Sequence, residues 1–236
     1  MRDKIPTLLI PGSLCDESLW APQVAALSDA AHARVCAWPA GLDSVPAMAE
    51  AILAGASASP FVLVGFSLGG FIALEMMRRE PERILGLALL DTSARPDDPA
   101  NRPVRAANLA RFVLEPDAVL EQFAALLCGP ETPAPVAAAV RGTIRRLGPA
   151  RYPAEQHAIM TRPDARQTLG SIRCPTLVLC GTEDRATPPA VNREIAAGIN
   201  GSRYVELAGV GHITTLSAPE AVSHAVGNLI SRVANG

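Results

Sequence analysis

The chain has 236 residues and a formal net charge of −2, with 49% hydrophobic and 19% charged residues. This length is sufficient for one domain with a sizeable buried core, and the composition is that of an ordinary globular protein. The small net charge excludes the strongly basic balance with which proteins bind nucleic acid or anionic membrane surfaces, so we expect neither partner.

The cysteines and the apolar runs of the sequence indicate the cellular compartment in which the protein works. The five cysteines include no Cys-x-x-Cys pair and are too few for a disulfide framework, so reduced thiols are expected. The first apolar run, from Thr7 to Ile10, is too short for a signal peptide and is bracketed by Pro6 and Pro11. No run approaches the ~20 apolar residues of a membrane span. We therefore expect a cytoplasmic protein that has no membrane partner.

Predicted strands and helices alternate along the first 93 residues. Short apolar runs predict strands at residues 6–10, 34–37, 61–64 and 84–90. Helical spacing of apolar residues predicts intervening helices near residues 20–27, 45–55 and 67–79. This order is typical of a parallel sheet with right-handed crossovers and helices on both faces.

The pattern changes in residues 94–169, which are rich in alanine, arginine and proline and contain no convincing strand. Helices are predicted there at residues 117–127 and 135–147, and strands return at residues 175–181 and 203–207. Further helices follow each of these strands, at residues 190–197 and from Pro219 onward. We predict a doubly wound, mostly parallel α/β sheet of about six strands. Residues 1–93 and 170–236 would form its core, and residues 94–169 a helical cap (lid) at the carboxyl edge of the sheet.

A serine lies at the junction of the third strand and its helix, within Gly65-Phe66-Ser67-Leu68-Gly69. Gly-x-Ser-x-Gly alone often marks a plain turn. A buried strand before it and a helix after it favour a sharp turn with the hydroxyl at its apex, and the glycines let the two elements pass closely. The sequence therefore predicts that Ser67 is a nucleophile.

A serine nucleophile needs a base, and His212 is the candidate because a glycine-containing loop precedes it. The other histidines (His32, His157 and His224) are interpreted as surface or locally bonded side chains, although His157 lies in the predicted cap. The base in turn needs a carboxylate on its second nitrogen. Asp184 and Asp91 both follow buried strands at the catalytic edge, so both are candidates on position alone. The neighbouring Glu183 is interpreted as solvated.

Four motifs together resemble the α/β-hydrolase fold superfamily over nearly the whole chain: Pro11-Gly12 through Trp20, Gly65 to Gly70, Gly181 to Asp184 with Pro188, and Gly209 to His212. They are specific for the superfamily and not for a substrate. The resemblance implies that Asp184 is the acid, in the chain order Ser67, Asp184, His212. Two features depart from the family: Pro11-Gly12 replaces the usual His-Gly, and the first strand corresponds to the third family strand. The second departure implies a sheet without the N-terminal antiparallel pair.

An acyl-transfer reaction also needs amide donors for the oxyanion. The residue after the nucleophile, Leu68, is expected to supply one backbone N–H. The loop after the first strand would supply the other, from Ser13 or, as the alternative, from Leu14. Leu14, Phe66 and Ile213 are expected to line the substrate pocket.

The chain contains no phosphate-binding glycine loop, no Walker lysine and no cluster with metal-ligand spacing, so neither a cofactor nor a metal is expected. Arginines in residues 94–169 are candidates for binding a substrate carboxylate, but we interpret them as parts of solvated helix faces. They are Arg102, Arg105, Arg111, Arg141, Arg145 and Arg146.

The expected function is that of a serine hydrolase, carboxylesterase-like, which cleaves a small ester, lactone or thioester through an acyl-enzyme. One alternative uses the same residues for carbon–carbon bond hydrolysis, acyl transfer or hydroxynitrile cleavage. The other is a small-molecule receptor on the same scaffold, in which the triad has little importance.

Overall fold

The computed structural model describes residues 4–235. Its strands form one six-stranded sheet in the order β2-β1-β3-β4-β5-β6, and every neighbouring pair is parallel. The strands are β1 (Ile5–Ile10), β2 (Ala31–Val35), β3 (Phe61–Phe66), β4 (Ile84–Leu90), β5 (Thr176–Gly181) and β6 (Arg203–Leu207). The doubly wound parallel sheet that the sequence predicts is therefore confirmed.

The α-helices connect and cover these strands within the same range of residues. They are α1 (Ala21–Ala26), α2 (Val45–Gly55), α3 (Leu68–Arg79), α4 (Arg102–Phe112), α5 (Pro116–Leu127), α6 (Ala134–Thr161), α7 (Arg166–Leu169), α8 (Pro189–Gly198), α9 (Thr214–Ser217) and α10 (Pro219–Ala234). None of the described helices is both long enough and apolar enough to cross a membrane.

Two hydrophobic cores lie on the two faces of the sheet. Leu9 and Val64 belong to the core that includes the apolar side of α10. Leu8 and Leu63, their chain neighbours, belong to the core formed with α2, α3 and α8. Successive residues of a strand point to opposite faces, and a strand covered on both faces is apolar at every position. Strand β3 is buried at all six positions, which explains why its sequence is apolar throughout rather than alternating.

Strand β2 begins and ends earlier than the sequence predicts. Its backbone pairs with β1 from Ile5 opposite Ala31 to Leu9 opposite Val35. The strand lies at the edge of the sheet and alternates between buried and exposed positions. Its apolar signal is therefore weak, and the pairing with β1 determines its position.

Helix α6 is much longer than the predicted helix at residues 135–147, since it continues to Thr161 through Pro149 and Pro153. A proline inside a helix removes one hydrogen bond and typically costs about 3 kcal/mol. Burial beyond the prolines offsets this cost, because Tyr152 lies against Phe112, with ring centroids 4.8 Å apart, and is almost fully buried.

Between β4 and β5 the described secondary structure consists only of helices, and α4, α5 and α6 pack on one another. Gly148 of α6 lies so close to Leu120 of α5 that a Cβ atom added to the glycine would displace the leucine side chain. We use the name cap for residues 94–169. The division of the chain into core and cap stays a prediction.

Strand β3 and helix α3 pass very close to β1 at the turn between them. A Cβ atom added to Gly65 would lie 2.4 Å from the carbonyl oxygen of Gly69. One added to Gly69 would lie 2.3 Å from the carbonyl oxygen of Ile10. Both contacts involve backbone atoms, which cannot swing away as a side chain can.

We predict that Gly69→Ala destabilises the protein by about 1–3 kcal/mol or more, because the added methyl group overpacks a rigid backbone contact. Gly142→Ala is the matched control, since Gly142 lies in α6 and its added Cβ would meet no other part of residues 4–235 within 4 Å, apart from its own stretch of helix. This control should stabilise the helix by about 0.5–1 kcal/mol. Urea denaturation measures both free energies of unfolding. A Gly69→Ala variant as stable as the wild type would contradict the close packing of this turn.

Candidate active site

Ser67 lies at the apex of the turn between β3 and α3, with backbone angles φ 52° and ψ −116°. A positive φ is strained for a residue with a side chain and is retained only where the surroundings hold it. The Ser67 N–H donates to the carbonyl oxygen of Leu90 at 3.0 Å. The Thr92 hydroxyl donates to the Ser67 carbonyl oxygen at 2.8 Å. Both contacts come from the end of β4, which holds the serine at the sheet edge.

His212 connects Ser67 to Asp184. Its Nε2 lies 3.0 Å from the Ser67 Oγ, and its Nδ1 lies 2.9 Å from the Asp184 Oδ2. Ser67 follows β3, Asp184 follows β5, and His212 lies in the loop after β6. His212 and Asp184 are both buried. The structure thus brings the predicted nucleophile, base and acid into one hydrogen-bonded chain.

The loop after β5 holds the Asp184 carboxylate in place. Its Oδ1 accepts from the backbone N–H groups of Ala186 and Thr187, at 2.8 and 2.9 Å, and its Oδ2 accepts from the Thr187 hydroxyl at 2.8 Å. Burial raises the pKa of Asp184, but the charge of His212 and these hydrogen bonds outweigh it, and the pKa lies below its ordinary value. Asp184 is therefore an ionised partner for the imidazole.

Asp91, the rival candidate, is fully buried at the end of β4. It accepts hydrogen bonds from the Gly181 N–H at 3.1 Å and from the Thr214 hydroxyl. Burial, and then the charge of Asp184, raise the pKa of Asp91 well above its ordinary value. Among the described residues it makes no hydrogen bond to His212, so the geometry favours Asp184 as the acid.

Asp91, Asp184 and His212 form the one grouping of three possible metal ligands within residues 4–235, with ligand atoms within 4.8 Å of one another. The oxygens of both carboxylates already accept hydrogen bonds from protein donors. Hydrogen bonding therefore accounts for the closeness of these groups.

The two predicted oxyanion donors have no protein acceptor. Within the described part of the chain, neither the Ser13 N–H nor the Leu68 N–H donates a hydrogen bond. The alternative donor, the Leu14 N–H, is occupied, since it donates to the Glu155 Oε2 at 2.8 Å. The geometry therefore favours Ser13 over Leu14.

Glu155 of α6 is a residue that the sequence analysis missed. Its Oε2 accepts from the Ser13 hydroxyl as well as from the Leu14 N–H, both at 2.8 Å, and its Oε1 lies 2.6 Å from the Arg151 Nε. Burial raises the pKa of Glu155 and prevails over the lowering effect of Arg151. The Arg151-x-x-x-Glu155 spacing is an available signal, but the predicted helix ends before it at residue 147.

Backbone strain is concentrated around the site. Within residues 4–235, three non-glycine residues have positive φ: Leu14 at 53°, Ser67 at 52° and Asp91 at 47°. Leu14 lies in the loop held by Glu155, Ser67 lies at the turn between β3 and α3, and Asp91 lies beside Asp184. Strained residues often cluster at functional sites, where the surrounding structure holds them.

Ser67 and His212 open onto a cavity of about 80 Å³. Its apolar lining comes from both parts of the chain, with Phe66 and Phe71 from the core and Phe123, Leu126, Leu127 and Ile159 from the cap. Residues of the cap therefore contribute to the lining of the cavity beside Ser67. The Phe66 ring also contacts the His212 ring, with centroids 5.1 Å apart.

Two of the predicted pocket residues do not line this cavity. Leu14 lines a separate groove with Cys15 and Val140 and belongs to the hydrophobic core. Ile213 is fully buried in the same core and is not among the residues that line the cavity. Position next to a site residue in the sequence is therefore insufficient to identify a pocket residue.

The other three histidines lie away from Ser67. His157 is exposed, with its Nδ1 3.0 Å from the Asp43 carbonyl oxygen, and His224 lies beside Asn228 on α10. His32 lies on an exposed part of β2. All five cysteines are free.

Comparison with known proteins identifies the family. The family model described as the alpha/beta hydrolase fold matches residues 28–219, so the chain belongs to the α/β-hydrolase fold family. This confirms the predicted family and the prediction that the chain is an α/β-hydrolase enzyme.

Several relatives carry names of enzymes. A pimeloyl-[acyl-carrier protein] methyl ester esterase from Chromobacterium violaceum is 28% identical over 165 residues, which cover 67% of this chain and 65% of that protein. The chain thus matches slightly less than two thirds of that relative. The structure of a thermophilic, malate-bound esterase from Thermogutta terrifontis has a TM-score of 0.87 and 31% identity, covering 97% of this chain and 90% of the other. An enol-lactonase from Burkholderia xenovorans has a TM-score of 0.83 and 26% identity, covering 97% and 92%.

We predict that Asp184→Asn lowers kcat for para-nitrophenyl acetate by on the order of 10⁴-fold, because the amide cannot hold the imidazole in the same tautomer or stabilise its cation. Asp91→Asn is the matched control. It should leave kcat close to the wild-type value, because a neutral side chain at this position resembles a carboxyl whose pKa is strongly raised. Equal losses in the two variants would contradict the assignment of the acid.

We predict that Glu155→Gln lowers kcat while KM changes little, because the Ser13–Leu14 loop loses its charged acceptor. The variant should also lose about 3 kcal/mol of stability, since Arg151 is left as a buried unpaired charge. Steady-state kinetics and urea denaturation measure the two effects. Glu121→Gln, on the exposed face of α5, is the control and should alter neither. Loss of stability with unchanged kcat would show that Glu155 is only a structural residue.

Proposed function

We propose that this chain hydrolyses a small carboxylic ester, lactone or thioester through an acyl-enzyme formed on Ser67. The observation that carries the proposal is the hydrogen-bonded chain from Ser67 through His212 to Asp184, at 3.0 and 2.9 Å. A half-buried serine followed by a buried imidazole and a buried carboxylate is the arrangement used for nucleophilic acyl transfer. The names of the relatives support ester or lactone bonds as the target.

In the first half of the reaction, the Ser67 Oγ attacks the substrate carbonyl carbon while its proton passes to the His212 Nε2. Asp184 stabilises the resulting imidazolium through Nδ1. The developing oxyanion accepts hydrogen bonds from the Ser13 and Leu68 backbone N–H groups. When the tetrahedral intermediate collapses, the bond to the alcohol or thiol breaks, and His212 returns its proton to that leaving group.

In the second half, water replaces the alcohol. His212 takes a proton from a water molecule, which attacks the acyl carbon, and the same amides hold the oxyanion again. The bond to the Ser67 Oγ then breaks, the serine regains its proton from His212, and a carboxylic acid is released. The protein groups named here are sufficient for every step, so the scheme uses no cofactor.

The cavity supports a small substrate. Its volume of about 80 Å³ is below the ~300–1,000 Å³ typical of pockets for drug-sized ligands. Phe123, Leu126 and Leu127 of α5 face the space next to Ser67, so the packing of the cap would determine the length of acyl chain that fits. The cytoplasmic location and the lack of a nucleic-acid partner stay predictions.

We predict that Ser67→Ala abolishes hydrolysis of para-nitrophenyl esters and labelling by a fluorophosphonate probe, because both reactions need the hydroxyl as nucleophile. A panel from acetate to decanoate measures the dependence on chain length, and turnover should be highest for short chains. Ser231→Ala, an exposed serine on α10, is the control and should behave as the wild type.

The outcomes separate this proposal from its alternatives. Wild-type labelling without turnover of any ester would mean that the same nucleophile serves another reaction, such as carbon–carbon bond cleavage or acyl transfer. No labelling of the wild type would favour a receptor without catalysis. A Ser67→Ala variant that hydrolyses esters at the wild-type rate would disprove the nucleophile assignment.

A further inference from the structure

The cavity beside Ser67 carries a positive charge at its cap side. Arg105 of α4 and Arg162, which follows α6, both line it, whereas no aspartate or glutamate of the described residues 4–235 does. The rest of the lining is apolar apart from Ser13, Ser67, Thr187 and His212. Within residues 4–235, a group bound there meets two guanidinium groups, apolar side chains and a few polar side chains, but no carboxylate.

The two guanidinium groups share one carboxylate. The Arg162 Nη1 lies 3.0 Å from the Asp97 Oδ1, and the Arg105 Nε lies 3.3 Å from the Asp97 Oδ2. Asp97 is almost fully buried. Burial, in the first place, and the charge of Arg105 lower the pKa of Arg162, although Asp97 opposes this. The cluster of two cations and one anion thus has a surplus positive charge next to the cavity.

The two arginines differ in how far their donors are used. Arg162 donates to the carbonyl oxygens of Arg95, Pro96 and Ile159 in addition to Asp97, so its guanidinium group is occupied.

Arg105 makes one well-formed hydrogen bond, from its Nη1 to the Gln156 Oε1 at 3.0 Å. Its Nε is buried without a hydrogen-bond acceptor, because the contact with Asp97 is poorly aligned. Its Nη2 has no acceptor within residues 4–235. Arg105 therefore retains donors for a further anion.

Arg105 also differs from the other arginines of the cap. Arg111, Arg141 and Arg146 form ion pairs at the surface with Glu115, Glu121 and Asp16. These residues fit the interpretation that the sequence analysis gave to all six. Arg105 does not fit it, because its side chain lines the Ser67 cavity.

We propose that Arg105 binds a carboxylate of the substrate, so that the enzyme prefers small esters or lactones that carry a negative charge. The inference rests on the proposed function and specifies its substrate class. A guanidinium group binds a carboxylate through two parallel hydrogen bonds, which are strong where water is excluded. A substrate carboxylate would supply the second anion for the cluster with Asp97 and Arg162, while the apolar lining covers the intervening hydrocarbon.

The test uses two pairs of esters, each of which compares a free carboxylate with its methyl ester. One pair places the charge on the acyl side: mono-(para-nitrophenyl) adipate and the para-nitrophenyl ester of monomethyl adipate. The other places it on the alcohol side: para-carboxyphenyl butyrate and its methyl-capped analogue. We expect kcat/KM to favour the charged member of at least one pair by about tenfold, the effect of a hydrogen bond to a charged group. This preference should fall as ionic strength rises.

Arg105→Gln should abolish that preference by slowing only the charged ester, whereas Arg111→Gln on the exposed part of α4 should retain it. Equal hydrolysis of both members of both pairs by the wild type would overturn the proposal. So would an equal loss for charged and neutral esters in Arg105→Gln, which would indicate a structural role.

A binding measurement separates this inference from the proposed function, because it needs no turnover. In the Ser67→Ala variant, calorimetry compares monomethyl adipate, which is anionic, with neutral dimethyl adipate. Tighter binding of the anion, lost when Arg105→Gln is added, supports the anion site even if the wild type hydrolyses no ester. Equal binding of the two compounds overturns it, whether or not esters are hydrolysed.

Discussion

The two hydrogen bonds of the His212 ring are the contacts on which the arrangement of the site depends. They join a hydroxyl that follows β3 to a carboxylate that follows β5, although these residues are far apart in the sequence. A parallel sheet makes this possible because the carboxyl ends of all its strands lie at one edge. The three loops need to span only the distance across neighbouring strands.

Holding these groups at the edge of a buried sheet costs free energy, through backbone strain and the burial of carboxylates, and the surrounding hydrogen bonds offset this cost. Three strained backbone positions and several buried carboxylates lie near one cavity. Asp184 and Asp91 are each bonded to backbone and hydroxyl donors, and Glu155 reaches from the cap to the loop after β1. The family pattern has a histidine in that loop where this chain has Pro11. The contact with Glu155 connects the cap directly to the loop that contains the expected oxyanion donor.

The sequence predicted those parts of the structure that a short run of residues determines by itself. The central strands are covered on both faces, so their apolar runs identify them. The Ser67 turn is identified by Gly65 and Gly69, which are needed where backbone segments pass too closely for a larger residue. The bounds of edge strand β2 and the full length of α6 were not predictable, because pairing with β1 and burial beyond Pro149 determine them. The Arg151–Glu155 spacing indicates the ion pair within α6. The contact of Glu155 with the Ser13–Leu14 loop and the orientation of Arg105 depend instead on how the cap packs on the core, which no local spacing encodes.

The acyl-enzyme is the central claim, and time-resolved mass spectrometry of the wild-type protein with para-nitrophenyl butyrate tests it most directly. An acyl-enzyme on Ser67 predicts a transient mass increase of one butyryl group, located on the peptide that contains Ser67, together with a burst of nitrophenol equal to the enzyme concentration. Butyrate release with no adduct at any time, or an adduct on a different residue, would contradict it.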